Sequence, residues 1–437
     1  MIKFDEATGR IEVTNGVLEN DGFEVRDTFV LLGRGQRGML YEPADGSKRI
    51  PVGVVLIHAS ADYSCLPMCA ELAKRGFTAL GGQVRGDEIG LEEKMLNVKT
   101  AVNFLRHMQG IEKVVLMGHS GGATLMSAYQ SIAENGVEIY QTEEMLYPCP
   151  LTEKLLPADG IMLIDSNYGN GAMTLISMDP AVLENGNGTD LDESLSVFNP
   201  ENGFNGSETA YSAEFLERFY RAQAKRNNEI VSLALERLKA LENGEGHYET
   251  DEPFLVTGGA QMKPCNKVIL ADLRLLSHTK ESYPLLHADG TVTHEVIYSL
   301  RPAETGMNPT RGGLGLLNST VKAFLSEHAV YASEDYRITE TGVEGVCWEQ
   351  TYNCTPYNVT HISAPLLVMG MTGSYEFMAA EAIYQNASSE RKTIAFVEGA
   401  THNFGPQTRT EKFPGQYGNT HKILYDYMAE WLRNEML

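Results

Sequence analysis

The stretch VVLMGHSGGATLMSAY, residues 114–129, decides the fold. Its first four residues are apolar and predict a buried strand. Residues 118–122 match the pattern G-x-S-x-G, in which a strand ends in a sharp turn that holds the central serine in a strained conformation. Residues 123–129 are typical of a helix. The sequence therefore predicts a strand, a tight turn and a helix, with Ser120 at the tip of the turn.

Apolar runs and helical patterns alternate on both sides of this turn. Continuous apolar runs such as Val52–Ile57 are typical of strands covered on both faces, and short links between strand and helix imply right-handed crossovers. The fold class predicted is α/β, with a mostly parallel, doubly wound sheet and helices on both faces. The predicted strands are 52–57, 77–80, 113–118, 160–164, 365–369 and 392–397, and the predicted helices are 66–76, 91–108, 123–129 and 419–434.

The alternation stops in the middle of the chain. Residues 1–170 and 351–437 are predicted to form the core, and residues 171–350 a large, mainly helical cap inserted into it. Within the insertion, the apolar spacing over 212–243 predicts either one long amphipathic helix or two helices broken near Asn227 and Asn228. Residues 1 to about 50 alternate polar and apolar positions and predict antiparallel strands at a sheet edge.

The charge of the chain excludes several kinds of partner. Its 437 residues include 58 acidic and 35 basic side chains, for a formal net charge of −23. A surface this negative repels phosphate backbones and anionic lipid, so we expect neither nucleic acid nor membrane as a partner. The sequence has no secretory signal pattern and no apolar run near the roughly 20 residues of a membrane helix, so a cytoplasmic location is expected.

No motif in the chain predicts a cofactor or a metal. The six cysteines do not fall into paired C-x-x-C blocks, which favours free thiols over a zinc site or a disulfide framework. Residues 311–315 are rich in glycine but lack the preceding strand and the following Lys-Ser/Thr of a P-loop. Residues 185–193 carry several oxygen ligands without the spacing of an EF-hand. We therefore expect no cofactor and no bound metal.

A serine hydroxyl needs a base within hydrogen-bond reach to become a nucleophile. His402 is the strongest candidate, because it follows the last predicted strand on a loop that could bring its imidazole over Ser120. His119 is expected to point away from the nucleophile and to serve as a packing residue. His58 is expected to be structural, with its ring bonded to the backbone of its own loop.

The base needs an acid to orient it, and two carboxylates qualify. Glu376 is the only carboxylate on the loop after strand 365–369, and Asp165 follows strand 160–164 directly. The sequence favours Glu376 but leaves Asp165 open. Glu398 is too close to His402 along the chain to be preferred.

An oxyanion needs preorganised amide donors. The amide of Gly121, which directly follows the serine, is the first candidate. The second is expected from the loop after the first buried strand, contributed by the amide of Ser60 or Ala59.

At this point the chain resembles the α/β-hydrolase superfamily. The resemblance rests on the elbow at 118–122, on residues 57–60 and 84–87 after two strands, on residues 399–402 after the last strand, and on the chain order of serine, acid and histidine. Two departures stand out: Ala59 replaces the common glycine, and Ser374 stands where many relatives carry the aspartate. The resemblance implies that the insertion closes over the serine and shapes the substrate pocket.

The function that follows is an expectation. It is a serine hydrolase that cleaves a carboxylic ester, or a thioester or amide, of a small organic substrate through an acyl-enzyme. Two alternatives stay open: acyl transfer or carbon–carbon bond cleavage by the same residues, and a hydrolase-like binding protein without catalysis. A large cap and many apolar residues are compatible with a homodimer.

Overall fold

The computed structural model describes residues 22–33, 35–84, 89–183, 190–260, 267–303 and 315–437, and the backbone alone of 2–5 and 10–13. The strands are β1 (Ile2–Asp5), β2 (Arg10–Val13), β3 (Val25–Gly33), β4 (Gln36–Pro43), β5 (Val52–Ile57), β6 (Thr78–Gly82), β7 (Lys113–His119), β8 (Gly160–Ile164), β9 (Pro253–Val256), β10 (His278–Leu286), β11 (Val292–Tyr298), β12 (Leu317–Thr320), β13 (Ala332–Ile338), β14 (Val343–Val346), β15 (Leu366–Met371) and β16 (Lys392–Val397). The helices are α1 (Pro67–Lys74), α2 (Leu91–Arg106), α3 (Gly122–Asn135), α4 (Asn170–Ser177), α5 (Ala213–Glu242), α6 (Val268–Ala271), α7 (Val321–Glu327), α8 (Thr355–Asn358), α9 (Phe377–Asn386) and α10 (Thr420–Met436).

One sheet of ten strands organises the chain. Its strand order is β11-β10-β16-β15-β8-β7-β5-β6-β4-β3. The strands from β10 to β6 run parallel, and antiparallel strands close both edges. The expected antiparallel strands near the start of the chain are β3 and β4 at one edge. Since parallel strands share one carboxyl edge, the loops after β5, β7, β8, β15 and β16 meet there.

Helices cover both faces of this sheet, which is why its central strands are apolar throughout. On β5, Val54 and Leu56 pack in the apolar cluster that includes α1 and α10, whereas Val55 and Ile57 pack in the cluster that includes α2, α3 and α9. All six residues of β5 are buried. The predicted fold class, an α/β doubly wound sheet, is confirmed.

The segment predicted as an insertion contributes two strands to the core sheet. Strands β10 and β11 lie within residues 171–350, yet β10 pairs in parallel with β16 through Leu285 and Phe396. Residues 278–298 fall in the predicted insertion, and the sequence did not identify this hairpin, whose strands are polar on one side: most of β11 is solvent-exposed. An edge strand lacks the continuous apolar run that marks a central one.

The long helix of the insertion is a single element. α5 runs unbroken from Ala213 to Glu242, so the alternative with a break near residue 227 is wrong. Asn227 donates to the carbonyl of Val330, and Asn228 exchanges two hydrogen bonds with the backbone of Ala332. Because both amides have partners outside the helix, they do not compete with its backbone hydrogen bonds.

Two further findings concern the whole described chain. Cys65, Cys69, Cys149, Cys347 and Cys354 are free thiols, while Cys265 lies outside the described residues. Among the helices described, none combines the length and the apolar composition needed to cross a bilayer.

Candidate active site

The turn between β7 and α3 holds Ser120 in a left-handed conformation, with φ of 54°. A non-glycine residue is uncommon there, and such strain clusters at functional sites. A Cβ atom on Gly118 would lie 2.6 Å from Cα of Ala123, so only glycine lets the strand and the helix approach this closely. The predicted strand, turn and helix are confirmed, and they hold Ser120 at the carboxyl edge of the sheet.

Asp165 and His402 meet at the same edge. Asp165 directly follows β8, is fully buried and has φ of 41°. Its Oδ2 atom lies 2.6 Å from Nδ1 of His402, and its Oδ1 atom accepts a hydrogen bond of 2.9 Å from the amide of Met371. Both carboxylate oxygens are thus occupied, and the carboxylate fixes the imidazole by its Nδ1 atom. The His402 side chain is one-third exposed, with a relative accessibility of 33%.

Glu376 also reaches the site, but in a different position. Ser120 Oγ donates a hydrogen bond of 3.4 Å to its Oε2 atom, which lies 3.7 Å from His402 Nδ1. In the part of the chain that is described, this is the hydrogen bond of the Ser120 side chain, and none joins that hydroxyl to His402. The short bond to the imidazole is therefore made by Asp165 and not by Glu376, the carboxylate that the sequence favoured.

The two carboxylates control the charge of the imidazole. Burial lowers the pKa of His402, but the charge of Glu376 and the hydrogen bond and charge of Asp165 outweigh that effect and raise it to about 9. Burial raises the pKa of Glu376 above its usual range; the charge of His402 opposes this rise and that of Asp165 adds to it. With a pKa of about 9, the imidazole holds its proton at neutral pH.

His119 supports the loop that carries His402. Its Nε2 atom lies 2.9 Å from the carbonyl oxygen of His402, and its Nδ1 atom lies 2.8 Å from the hydroxyl of Tyr63. Since a carbonyl only accepts, Nε2 carries the proton and Nδ1 accepts from Tyr63. Burial holds the pKa of His119 well below its usual range, so the ring stays neutral. The side chain thus positions a neighbouring loop in addition to packing, which sequence reasoning missed.

The loop after β5 is organised by His58. Its Nδ1 atom accepts hydrogen bonds of 3.1 Å from the amide of Ser60 and 3.0 Å from the amide of Ala61. Its ring stacks on Tyr63 with centroids 4.8 Å apart. The Ser60 amide, one of the expected oxyanion donors, is therefore already engaged. Within the described residues, the amides of Ala59 and Gly121 have no hydrogen-bond acceptor.

Some expected features lie outside the described residues: 85–87 of the stretch 84–87, most of 185–193, and 311–314 of the glycine-rich segment. Among the side chains that are described, no three His, Cys, Asp or Glu residues are grouped so as to hold a metal ion. Residues near Ser120 that were not singled out from the sequence include Tyr63, which donates to His119, and Asn167, whose Nδ2 atom would lie 3.6 Å from a Cβ atom on Gly121. Asn167 could have been noticed because it follows Asp165 by two positions at the end of a buried strand.

Comparisons with known proteins give structural likeness only. No protein-family model matches the sequence, and no curated protein matches it. The α/β hydrolase GrgF from Penicillium is 11% identical and the pairing covers 95% of this chain and 99% of that one, with a TM-score of 0.41. A soluble variant of monoglyceride lipase from Saccharomyces cerevisiae is 9% identical over 97% and 98% of the two chains, with a TM-score of 0.44. The siderophore hydrolase EstB from Aspergillus fumigatus is 12% identical over 95% and 99%, with a TM-score of 0.42.

The strand order and the elbow, rather than these similarities, identify the architecture. A mostly parallel sheet with helices on both faces carries a strained serine between β7 and α3, and an acid and a histidine follow it on later strands of the same edge. An elbow serine on such a sheet, followed along the chain by the acid and then the histidine, is the arrangement that characterises the α/β-hydrolase fold. This chain has the α/β-hydrolase fold.

Proposed function

We propose that this protein is a serine hydrolase that cleaves a carboxylic ester of a small organic substrate through an acyl-enzyme intermediate. Thioesters and amides would follow the same route. The observation that carries the proposal is the 2.6 Å bond between Asp165 and His402 on the edge where Ser120 is held in a left-handed turn. A nucleophile, a base and an orienting acid are the groups that acyl transfer to serine requires.

The proposed mechanism begins with neutral His402. Ser120 Oγ leaves Glu376, turns towards the imidazole and attacks the substrate carbonyl, while Nε2 of His402 takes the hydroxyl proton. Hydrogen bonds between a nucleophile and its base are often long before substrate binds and tighten in the complex. The tetrahedral intermediate collapses when the carbon–oxygen bond to the leaving group breaks and His402 returns the proton to it. Water, deprotonated by His402, then releases the acid and restores Ser120.

Asp165 orients the base in this proposal, and Glu376 does not. Asp165 holds Nδ1, which keeps Nε2 as the atom that exchanges protons with the substrate. The amides of Gly121 and Ala59 hold the oxyanion, because the Ser60 amide is bonded to His58. Losing one such donor typically slows an enzyme by about a hundredfold or more.

The test is hydrolysis of p-nitrophenyl acetate, butyrate and octanoate by the protein and by Ser120→Ala. We expect the substitution to lower kcat by about 10⁴-fold or more while the fold is retained. Ser177→Ala is a matched control, since Ser177 is also buried but donates to Met173 within α4. Unchanged turnover by Ser120→Ala would contradict the proposal.

A further inference from the structure

Three polar side chains converge on Gly121, the residue whose amide is proposed to hold the oxyanion. A Cβ atom built on Gly121 would lie 3.0 Å from Oδ1 of Asn170, 3.4 Å from Nε2 of His58 and 3.6 Å from Nδ2 of Asn167. They come from two loops and from the start of α4. The ester chemistry described above uses none of them.

The amide of Asn167 is oriented by its neighbours. Its Oδ1 atom accepts hydrogen bonds of 2.9 Å from the amide of Gly169 and 3.4 Å from the hydroxyl of Thr124. Because the backbone amide of Gly169 can only donate, the oxygen is assigned and Nδ2 faces Gly121. Asn167 is 4% exposed. Within the described chain Nδ2 has no hydrogen-bond acceptor. It is not fully buried, so it faces space that solvent or a ligand can reach.

His58 supplies a second donor. Because its Nδ1 atom accepts two backbone amides, the proton of the neutral ring must sit on Nε2. Burial, with the positive charges of His402 and Lys94, lowers the pKa of His58 to about 3, so the ring stays neutral at physiological pH. Nε2 thus presents an N–H group next to Gly121, with no acceptor in the described residues.

Asn170 supplies an acceptor, and the inserted segment holds it in place. Its Nδ2 atom donates a hydrogen bond of 2.9 Å to Oε1 of Glu327, which directs Oδ1 towards Gly121. The other oxygen of Glu327 forms a 2.5 Å ion pair with Lys94, and the two side chains are 2% and 1% exposed. A buried ion pair between α2 and α7 therefore fixes the direction of the Asn170 amide.

We propose that His58, Asn167 and Asn170 form a polar subsite that binds a hydroxyl or carbonyl oxygen on the acyl group of the substrate, next to the ester carbonyl. This inference rests on the proposed function. The leaving group must lie beside His402, from which it takes its proton. The carbonyl oxygen lies at the amide of Gly121. The acyl chain is the remaining substituent of the carbonyl carbon, and we assign it to the side of Gly121 that carries the three polar groups.

The donors and acceptor decide which acyl groups fit. An oxygen substituent accepts from His58 and Asn167, and a hydroxyl can also donate to Asn170. A plain alkyl chain would displace water from the N–H groups of His58 and Asn167, and it could not replace the hydrogen bonds that the water made. A site with such hydrogen-bonding groups strongly rejects a substrate analogue that lacks the oxygen. An apolar pocket discriminates much less against an analogue that carries an additional hydroxyl. The substrate class is therefore a 2-hydroxy or 2-oxo acyl ester.

The phenyl esters of lactic acid and of isobutyric acid test this substrate preference directly. At carbon 2 of the acyl group, the lactate carries a hydroxyl where the isobutyrate carries a methyl group. Each kcat/KM is divided by the hydroxide-catalysed rate constant of the same ester, which removes the difference in intrinsic reactivity. We expect a preference of at least about tenfold for the lactate. Hydrolysis of both esters without preference would overturn the subsite and leave the proposed function standing. Failure to cleave any ester, with Ser120 unreactive, would overturn both.

Two substitutions of Asn167 assign the preference to this side chain. Asn167→Leu should bring the ratio of the two kcat/KM values, lactate over isobutyrate, close to one. Asn167→Asp keeps the shape, replaces the donor by an acceptor and should disfavour the lactate. Labelling of Ser120 by a fluorophosphonate at the wild-type rate shows that the site is still folded. A lactate preference retained by both variants would overturn the assignment.

Asn97→Leu is the matched control. Asn97 is a buried asparagine on α2 whose amide donates to the carbonyl of Glu93 in its own helix. Its substitution should leave the lactate preference unchanged. An equal loss of preference in this variant would show that the effect of Asn167 is a general one of destabilising the fold.

Discussion

The Oε2 atom of Glu376 lies 3.7 Å from Nδ1 of His402, although Asp165 already binds that nitrogen at 2.6 Å. The imidazole thus has two carboxylates beside it, and the pKa of His402 rises to about 9. A general base must be neutral to accept a proton, so the second carboxylate sets the pH range in which Ser120 can be activated.

We predict that kcat/KM rises with pH through a midpoint near 9, because His402 is protonated below that value and neutral above it. Glu376→Gln removes one negative charge and keeps the shape, so the midpoint should move towards neutrality by about one to two pH units. A pH–rate profile with a butyrate ester measures this. Glu381→Gln is the control, because Glu381 is a buried glutamate of α9, the helix that directly follows Glu376, and is bonded to the amides of Lys280 and Glu281. The same midpoint in Glu376→Gln as in the wild type would contradict the account.

The two carboxylates should differ in their effect on the maximal rate. Asp165→Asn removes the partner that orients His402 and should lower kcat by about 10⁴-fold, as expected when a triad acid is lost. Glu376→Gln, assayed above its midpoint, should stay within about tenfold of the wild type. Steady-state kinetics at alkaline pH gives both values. The reverse order of effects would make Glu376 the orienting acid.

The strained conformation of Ser120 predicts that glycine at this position gives a more stable protein than alanine does. Glycine adopts positive φ without strain, whereas alanine keeps the Cβ atom that causes it. Ser120→Gly should therefore exceed Ser120→Ala in free energy of unfolding by about 1 kcal/mol. Urea unfolding of the two inactive variants provides the comparison. Equal stability would show that the turn stores no strain at this residue.

The buried pair of Lys94 and Glu327 should connect the core to the inserted segment. Lys94→Met leaves the Glu327 carboxylate buried without its cation and should lower the free energy of unfolding by about 3–5 kcal/mol. The double variant Lys94→Met/Glu327→Gln should recover part of this loss, since glutamine can still accept from Asn170 without a charge. Urea unfolding of the two single variants and the double variant measures the coupling. Strictly additive losses would show that the two groups do not stabilise each other.

The sequence predicted the central sheet well because its signals are local. Strands 160–164 and 392–397 have the predicted bounds, and the elbow at 118–122 lies between strand and helix as expected. Buried parallel strands are apolar at every position, and the glycines of the elbow are required by a contact of 2.6 Å. Such features are determined by each residue and its immediate neighbours.

The choice of acid depended on distances that the sequence does not contain. Asp165 and Glu376 both follow strands whose ends meet at one edge, and both reach the site. Which one bonds His402 depends on side-chain direction: the turn at Asp165, with φ of 41°, aims its carboxylate at Nδ1. The place of the hairpin 278–298 in the core sheet was not predicted for a similar reason. The pairing of β10 with β16 joins residues that are far apart in the chain.

The most direct test of the central claim is to map the site of fluorophosphonate labelling by peptide mass spectrometry and to compare its rate with that of His402→Ala. The account predicts one phosphonyl group per chain, on Ser120, formed at least about 10³-fold more slowly in the variant. An adduct on another residue, or a labelling rate that does not depend on His402, would contradict it.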